Sequence, residues 1–136
     1  MKNNIISVKD WRDQIKPFYF DLGSVYSKAI KENVVFNNHG WKHLVYHKNG
    51  RRRNEKDIRL RLGLIKNVPV VIKNCKVVNE IRSVGYVTYF EISHTFRFNK
   101  KGVEKLVEIV VVIRKFEDQN PHFWTTRYGK KTKKTL

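Results

Sequence analysis

The second half of the chain is written in period two. Residues 86–92, 95–98, 107–114 and 123–128 are rich in β-branched and aromatic side chains, and polar stretches such as Asn99-Lys100-Lys101-Gly102 and Glu117-Asp118-Gln119-Asn120-Pro121 separate them. This pattern predicts consecutive antiparallel strands, with residues 76–82 available as one more at the start of the sheet. Upstream the spacing is helical. Residues 21–33 predict an amphipathic helix, with Asp21 or Ser24 as N-cap and Val25, Tyr26, Ala29 and Ile30 on one apolar face. An extended run at 34–36 and turn chemistry at Asn37-Asn38-His39-Gly40 lead to a short helix or helical turn at 41–46, on which His43 and His47 would share a face.

Asn49-Gly50 marks a turn, and Asn54, followed by Glu55 and Asp57, marks a helix start with acids at the positive end of the dipole. Ile58, Leu62, Ile65, Val68 and Ile72 recur at helical spacing, which predicts a helix over 55–67 that Pro69 kinks, ends or follows with a separate turn. Helices first and a meander afterwards predict an α+β fold, with N-terminal helices packed on a C-terminal antiparallel sheet of about four strands. The 136 residues suffice for one core, so a single domain over 1–136 is expected, with a basic tail at about 129–136.

Charge is concentrated rather than spread. The formal net charge is +17, of which residues 42–76 contribute +9 and residues 122–136 contribute +5; the strand-rich stretch 77–121 is close to neutral. A fold that unites the two basic segments makes a cationic groove suited to a polyanion. Arg51-Arg52-Arg53 is the densest cluster, and guanidinium groups recognise phosphate in a bidentate way. Cys75 is the only cysteine, which excludes an intramolecular disulfide and any multi-thiolate metal site. Neither a signal-peptide run nor a membrane-length apolar segment is present, so a soluble, cytoplasmic protein is expected; delivery into a target cell by a specialised system would need no such signal.

The phosphate-cradling glycine loop, the nucleophile elbow and the zinc-protease signature are all missing. His39, His43 and His47 lack the acidic catalyst and the fixed third ligand of a zinc site, so no metal and no cofactor is expected. RNA cleavage needs neither, because the neighbouring 2′-hydroxyl is the nucleophile. The protein then supplies a base, an acid and cations on the phosphate. His43 and His47 lie beside the most basic segment, Arg97 and Arg114 on expected strands, and His122-Phe123-Trp124-Thr125-Thr126-Arg127 beside the second basic segment. Trp41, Trp124 and Tyr128 offer faces on which single-stranded bases could stack, although an aromatic on a strand, as Trp124 is expected to be, is more often a core residue.

The stretch Trp41-Lys42-His43-Leu44 with His47, the Arg51-Arg52-Arg53 segment with its following helix, and the closing pair Val110-Val111-Val112-Ile113-Arg114 and His122-Phe123-Trp124-Thr125 together resemble the barnase–EndoU–colicin–RelE superfamily of small nucleases, in its phage and polymorphic-toxin branches. The likeness covers roughly residues 24–129. It implies a metal-independent endoribonuclease, often a toxin acting on tRNA or other cellular RNA and held in check by an immunity protein or antitoxin. On this resemblance His43 is the leading acid/base group with His47 as alternative or partner, Arg114 clamps the transition-state phosphate, and Thr125 orients a phosphate oxygen. Lys42, Arg51, Arg52, Arg53, Arg97, Trp41, His122 and Arg127 would bind the RNA. Two rival expectations use the same cations without cleavage: an RNA- or DNA-binding module, and a structural part of a ribonucleoprotein particle.

Overall fold

The computed structural model describes residues 6–129. Helix α1, Val8–Asp21, starts where the Ser7 side chain accepts the Asp10 backbone N–H at 3.1 Å, and it buries Val8, Ile15 and Tyr19. The chain leaves it through Gly23 at φ 61°, a left-handed conformation that costs glycine little.

The helix expected over 21–33 is instead a hairpin of β1, Ser24–Ser27, and β2, Glu32–Val35. Val25 and Ser27 turn inward while Ser24 and Tyr26 stay exposed, which is strand alternation. The helical spacing of Val25, Ala29 and Ile30 comes from a single turn. Lys31 N–H donates to the Ser27 carbonyl at 2.7 Å, Ser27 Oγ accepts from Ile30 N–H, and Lys31 at φ 66° turns the chain back.

Asn37 caps α2, Asn38–His43, by accepting from His39 N–H. This helix begins earlier and ends sooner than the turn expected at 41–46, so His43 and His47 do not share a helical face. His47 lies in the following loop, where its N–H donates to the Arg51 carbonyl and its own carbonyl accepts from Gly50 N–H. Asn54 caps α3, Glu55–Leu64, with its side chain 2.8 Å from Asp57 N. A single 3₁₀ turn, Ile65–Asn67, leads into α4, Val68–Asn74, where Pro69 sits in the first turn and its missing N–H is no loss. Ile58, Leu62, Ile65, Val68 and Ile72 are all fully buried.

The fold is α+β, but the sheet has six strands among the described residues and is mixed. Beyond the hairpin it contains β3, Glu80–Val84; β4, Val87–Lys100; β5, Val103–Phe116; and β6, His122–Tyr128, in the order β1-β2-β6-β5-β4-β3. The expectation of about four antiparallel strands matches β3 to β6 only. The N-terminal hairpin joins them through one parallel contact, Val35 opposite His122. The separate strands expected at 86–92 and 95–98 are one strand, because Ser93 and His94 keep their places in the long β4–β5 ladder. Ile92, Val111, Ile113 and Phe123 bury one side of this sheet in the core beneath the helices.

Strand β6 carries the local irregularity that matters most. Val112 pairs with Thr125 and Ile113 with Phe123, leaving Trp124 as the extra residue of a β-bulge. Trp124 and Thr125 therefore project on the same side, lining one cleft, and Thr126 returns fully to the core. Past His122, β6 has no strand on its outer side, and α2 and α3 pack against it there. No helix among the described residues is long and apolar enough to cross a membrane.

Candidate functional site

The bulge gathers side chains from three elements. The His43 ring, at the end of α2, stacks on the Trp124 indole with centroids 3.8 Å apart and planes 13° from parallel. From β5, the Arg114 guanidinium carbon lies 3.6 Å from the Trp124 ring centre. Arg114 itself is aimed by β6, since its Nε donates to His122 Nε2 at 3.0 Å. Because α2 packs across the free side of β6, residues distant in sequence meet at one indole.

A second layer of charge holds this arrangement. Arg53 donates from Nε to the His43 carbonyl at 2.8 Å, and its Nη2 lies 3.0 Å from His43 Nε2. A guanidinium can only donate, so the His43 Nε2 accepts and the ring proton resides on Nδ1. Arg53 Nη1 is 3.1 Å from the Asp57 carboxylate and 3.4 Å from His47 Nδ1. Asp57 also accepts from Arg61 Nε at 2.9 Å, and Arg61 Nη1 in turn donates to Thr125 Oγ1 and to the Thr126 carbonyl. The three residues 53, 57 and 61 follow one another at helical spacing, which places one carboxylate between two guanidinium groups.

Three buried cations against one carboxylate leave the site positive, and its titratable groups register this. Burial, reinforced by Arg53, Arg61 and Arg114, lowers the His43 pKa to about 3. Burial and Arg114 lower that of His122 to about 4. Burial also lowers Arg61 and Arg114. For Asp57 burial alone would raise the carboxyl, but the charge and hydrogen bonds of Arg61 and Arg53 outweigh it and hold the carboxyl below its ordinary value. Both imidazoles are thus neutral at physiological pH, and an incoming anion would raise them.

These shifts make stability depend on pH. The unfolded chain protonates the two histidines near pH 6.5, whereas the folded chain resists until about pH 3 and about pH 4. Between those limits the unfolded state binds more protons, so stability is full above about pH 6.5 and falls on acidification. The Tm measured by circular dichroism should therefore drop between about pH 7.5 and about pH 4.5. The drop should be smaller in His122→Gln, whose amide oxygen still accepts from Arg114; an equal drop in both proteins would remove His122 as its source.

Trp124 is the shared wall of two clefts. One, of about 240 Å³, is lined by Thr125, Tyr89, Glu91 and Arg127, with Arg127 paired to Glu91 at 2.7 Å. The other, of about 290 Å³, holds His43, His47, Lys42 and His39. Arg51 and Arg52 are exposed in the adjoining loop.

Other expected site residues have different surroundings. Trp41 is only 4% exposed and packs its ring on Tyr19 and Phe20, which leaves it no face for a base. Arg53 is buried within the clamp just described, so it is not a free phosphate ligand. His122 is 2% exposed, packed near the His39 and Trp124 rings with its Nε2 taken by Arg114, so it offers no surface to RNA. Arg97 pairs with Glu104 far along the hairpin, eight residues from Tyr89, the cross-strand neighbour of Arg114, a span of about 26 Å. The lysine tail at 130–136 lies outside the described residues. Arg61 was the residue that sequence reasoning passed over, although its position four residues after Asp57 is a readable ion-pair signal. Among the described residues no group of three or more His, Cys, Asp or Glu is placed to hold a metal ion. Comparison of the chain with protein-family models, with curated proteins and with solved structures finds no match in any of the three.

Proposed function

We propose that this chain is a toxin-like endoribonuclease of the barnase–EndoU–colicin–RelE type, which cleaves RNA, tRNA included, by 2′-hydroxyl attack without a metal. The observation that carries this reading is the gathering of His43, Arg114 and the Arg61–Thr125 pair about the Trp124 bulge, where the indole is sandwiched between His43 and Arg114 and must turn aside for both to reach one phosphate. In the reaction O2′ attacks phosphorus, the P–O5′ bond breaks, and the products are a 2′,3′-cyclic phosphate and a 5′-hydroxyl. Arg61 and Arg114 stabilise the added negative charge on the phosphoryl oxygens, and the Thr125 hydroxyl orients one of them. The phosphate draws Arg53 away from His43 Nε2 and offsets the cations that depress the imidazole, and the freed Nε2 then accepts the O2′ proton. His47, entering as imidazolium and swung clear of Arg53, gives its proton to O5′, and solvent takes the proton from His43 and restores that of His47. A protein inhibitor of the immunity or antitoxin kind would act by covering these clefts.

One observation favours the rival reading of a noncatalytic RNA- or DNA-binding module. An imidazole with a pKa of about 3, its Nε2 engaged by Arg53, is a poor base before ligand arrives. Incubation of the purified protein with total RNA and labelled tRNA in EDTA separates the two. Products ending in 2′,3′-cyclic phosphate, and their loss in His43→Ala, are the expected result. Intact RNA with tight, salt-sensitive binding would favour the binding module, and cleavage abolished by EDTA would end the metal-free mechanism.

A further inference from the structure

Strand β3 ends the sheet. Among the described residues it pairs only with β4, and all five of its residues are exposed. Its free side carries a row of unpaired backbone groups beside Ile81, Val84 and Tyr86, which are 60, 59 and 79% exposed. A bare apolar strand edge of this kind is a template for another strand.

The charges on β3 select the occupant. A second copy of the same strand, antiparallel about a twofold axis, can be centred on Arg82 or on Ile81. Centring on Arg82 sets two guanidinium groups against each other. Centring on Ile81 sets Glu80 of each copy opposite Arg82 of the other and brings the two Ile81 side chains together on the opposite face. Both line the rim of the cleft at Trp124 and Thr125; Glu80 makes no ion pair among the described residues, and Arg82 lies over the Tyr89 ring at 5.4 Å without a carboxylate partner there.

We propose that β3 is a homodimer interface, pairing with a second copy in the register centred on Ile81 to form a continuous twelve-stranded sheet. The twofold axis runs through the sheet, so both clefts open on the same face, and each has its rim closed by Arg82 of the other copy. The proposal is independent of whether the clefts cleave RNA.

Analytical ultracentrifugation of the full chain over micromolar concentrations tests it. The wild type should sediment as a dimer. Glu80→Arg sets arginine against arginine, and Arg82→Glu sets glutamate against glutamate, so each alone should weaken dimerisation at least about tenfold. Mixing these two variants creates two complementary pairs and should restore a dimer, an outcome that no loss of folding can imitate. Ile81→Lys, checked for folding by circular dichroism, should be monomeric. A monomeric wild type, or a dimer indifferent to the single reversals, or a mixture that stays monomeric while each variant is folded, would overturn the proposal.

Discussion

Arg114→Ala is expected to slow RNA cleavage by about 10²–10³-fold, the loss typical of removing a positioned charge from a developing oxyanion. Arg114 lies near the end of β5, is 8% exposed, lies against Trp124 and is fixed through Nε by His122, so its guanidinium is held in place before the phosphate gains charge. Lysine should restore little, because an ammonium can neither stack flat on the indole nor use the His122 contact and a phosphate oxygen at once. His122→Ala should cost less, about tenfold, with recovery in His122→Gln, as expected of a positioning residue. Single-turnover cleavage of a short RNA, with binding measured separately by anisotropy, reads each effect. An Arg114→Ala protein that cleaves within threefold of wild type would remove Arg114 from the mechanism.

Gly40→Ala should destabilise the fold by about 2 kcal/mol through overpacking, which for a chain of this size lowers Tm by about 7 °C. A Cβ at Gly40 would collide with the Phe123 carbonyl oxygen and stand 2.6 Å from the Tyr19 hydroxyl. Neither neighbour is free to yield. The carbonyl belongs to β6 just before its bulge, and the Tyr19 hydroxyl is bonded to the Asn37 carbonyl at 2.7 Å. Helix α2 must then retreat from β6, taking His43 away from Trp124, so activity should fall together with stability. Gly63→Ala is the control. Its Cβ meets only Trp11, at an ordinary 3.6 Å, and an alanine within α3 should leave Tm unchanged or raise it slightly. Thermal melts of the two variants should move apart; a Gly40→Ala protein with wild-type Tm would mean that the close approach of α2 to β6 is not required.

What could be read in advance was local. Asn54 and Asp57 specified the start of α3 because the cap is made within four residues, and the β-branched run of 107–114 specified a strand because its side chains suit an extended backbone. Where residues 21–33 were misread, a single tight turn around Ser27 and Lys31 imitated helical spacing while the flanking residues were already extended. The site was legible as a set of chemical types and only partly as a set of positions. His43, Arg114 and Thr125 meet at Trp124, but Trp41 and Arg53 look alike in sequence whether they face solvent or core. Which way they face is decided by α1 and α3, which pack on them from elsewhere in the chain. Helix α1 was not anticipated at all: Pro17 in its interior argues against a helix when taken alone, and the cap at Ser7 with Ile15 and Tyr19 at helical spacing was the signal that went unread.

The Trp124 bulge makes the site dispensable to the sheet that carries it. A chain lacking residue 124 would close the β5–β6 ladder without a break: Thr125 would still fall opposite Val112, Thr126 opposite Val111, and Phe123 would keep its place in the core. The extra residue is therefore an insertion that the architecture does not require, and its removal would repair the hydrogen-bond ladder while erasing the indole that His43 and Arg114 hold between them. Such a chain could drift toward a sturdier, inert descendant by losing a single codon.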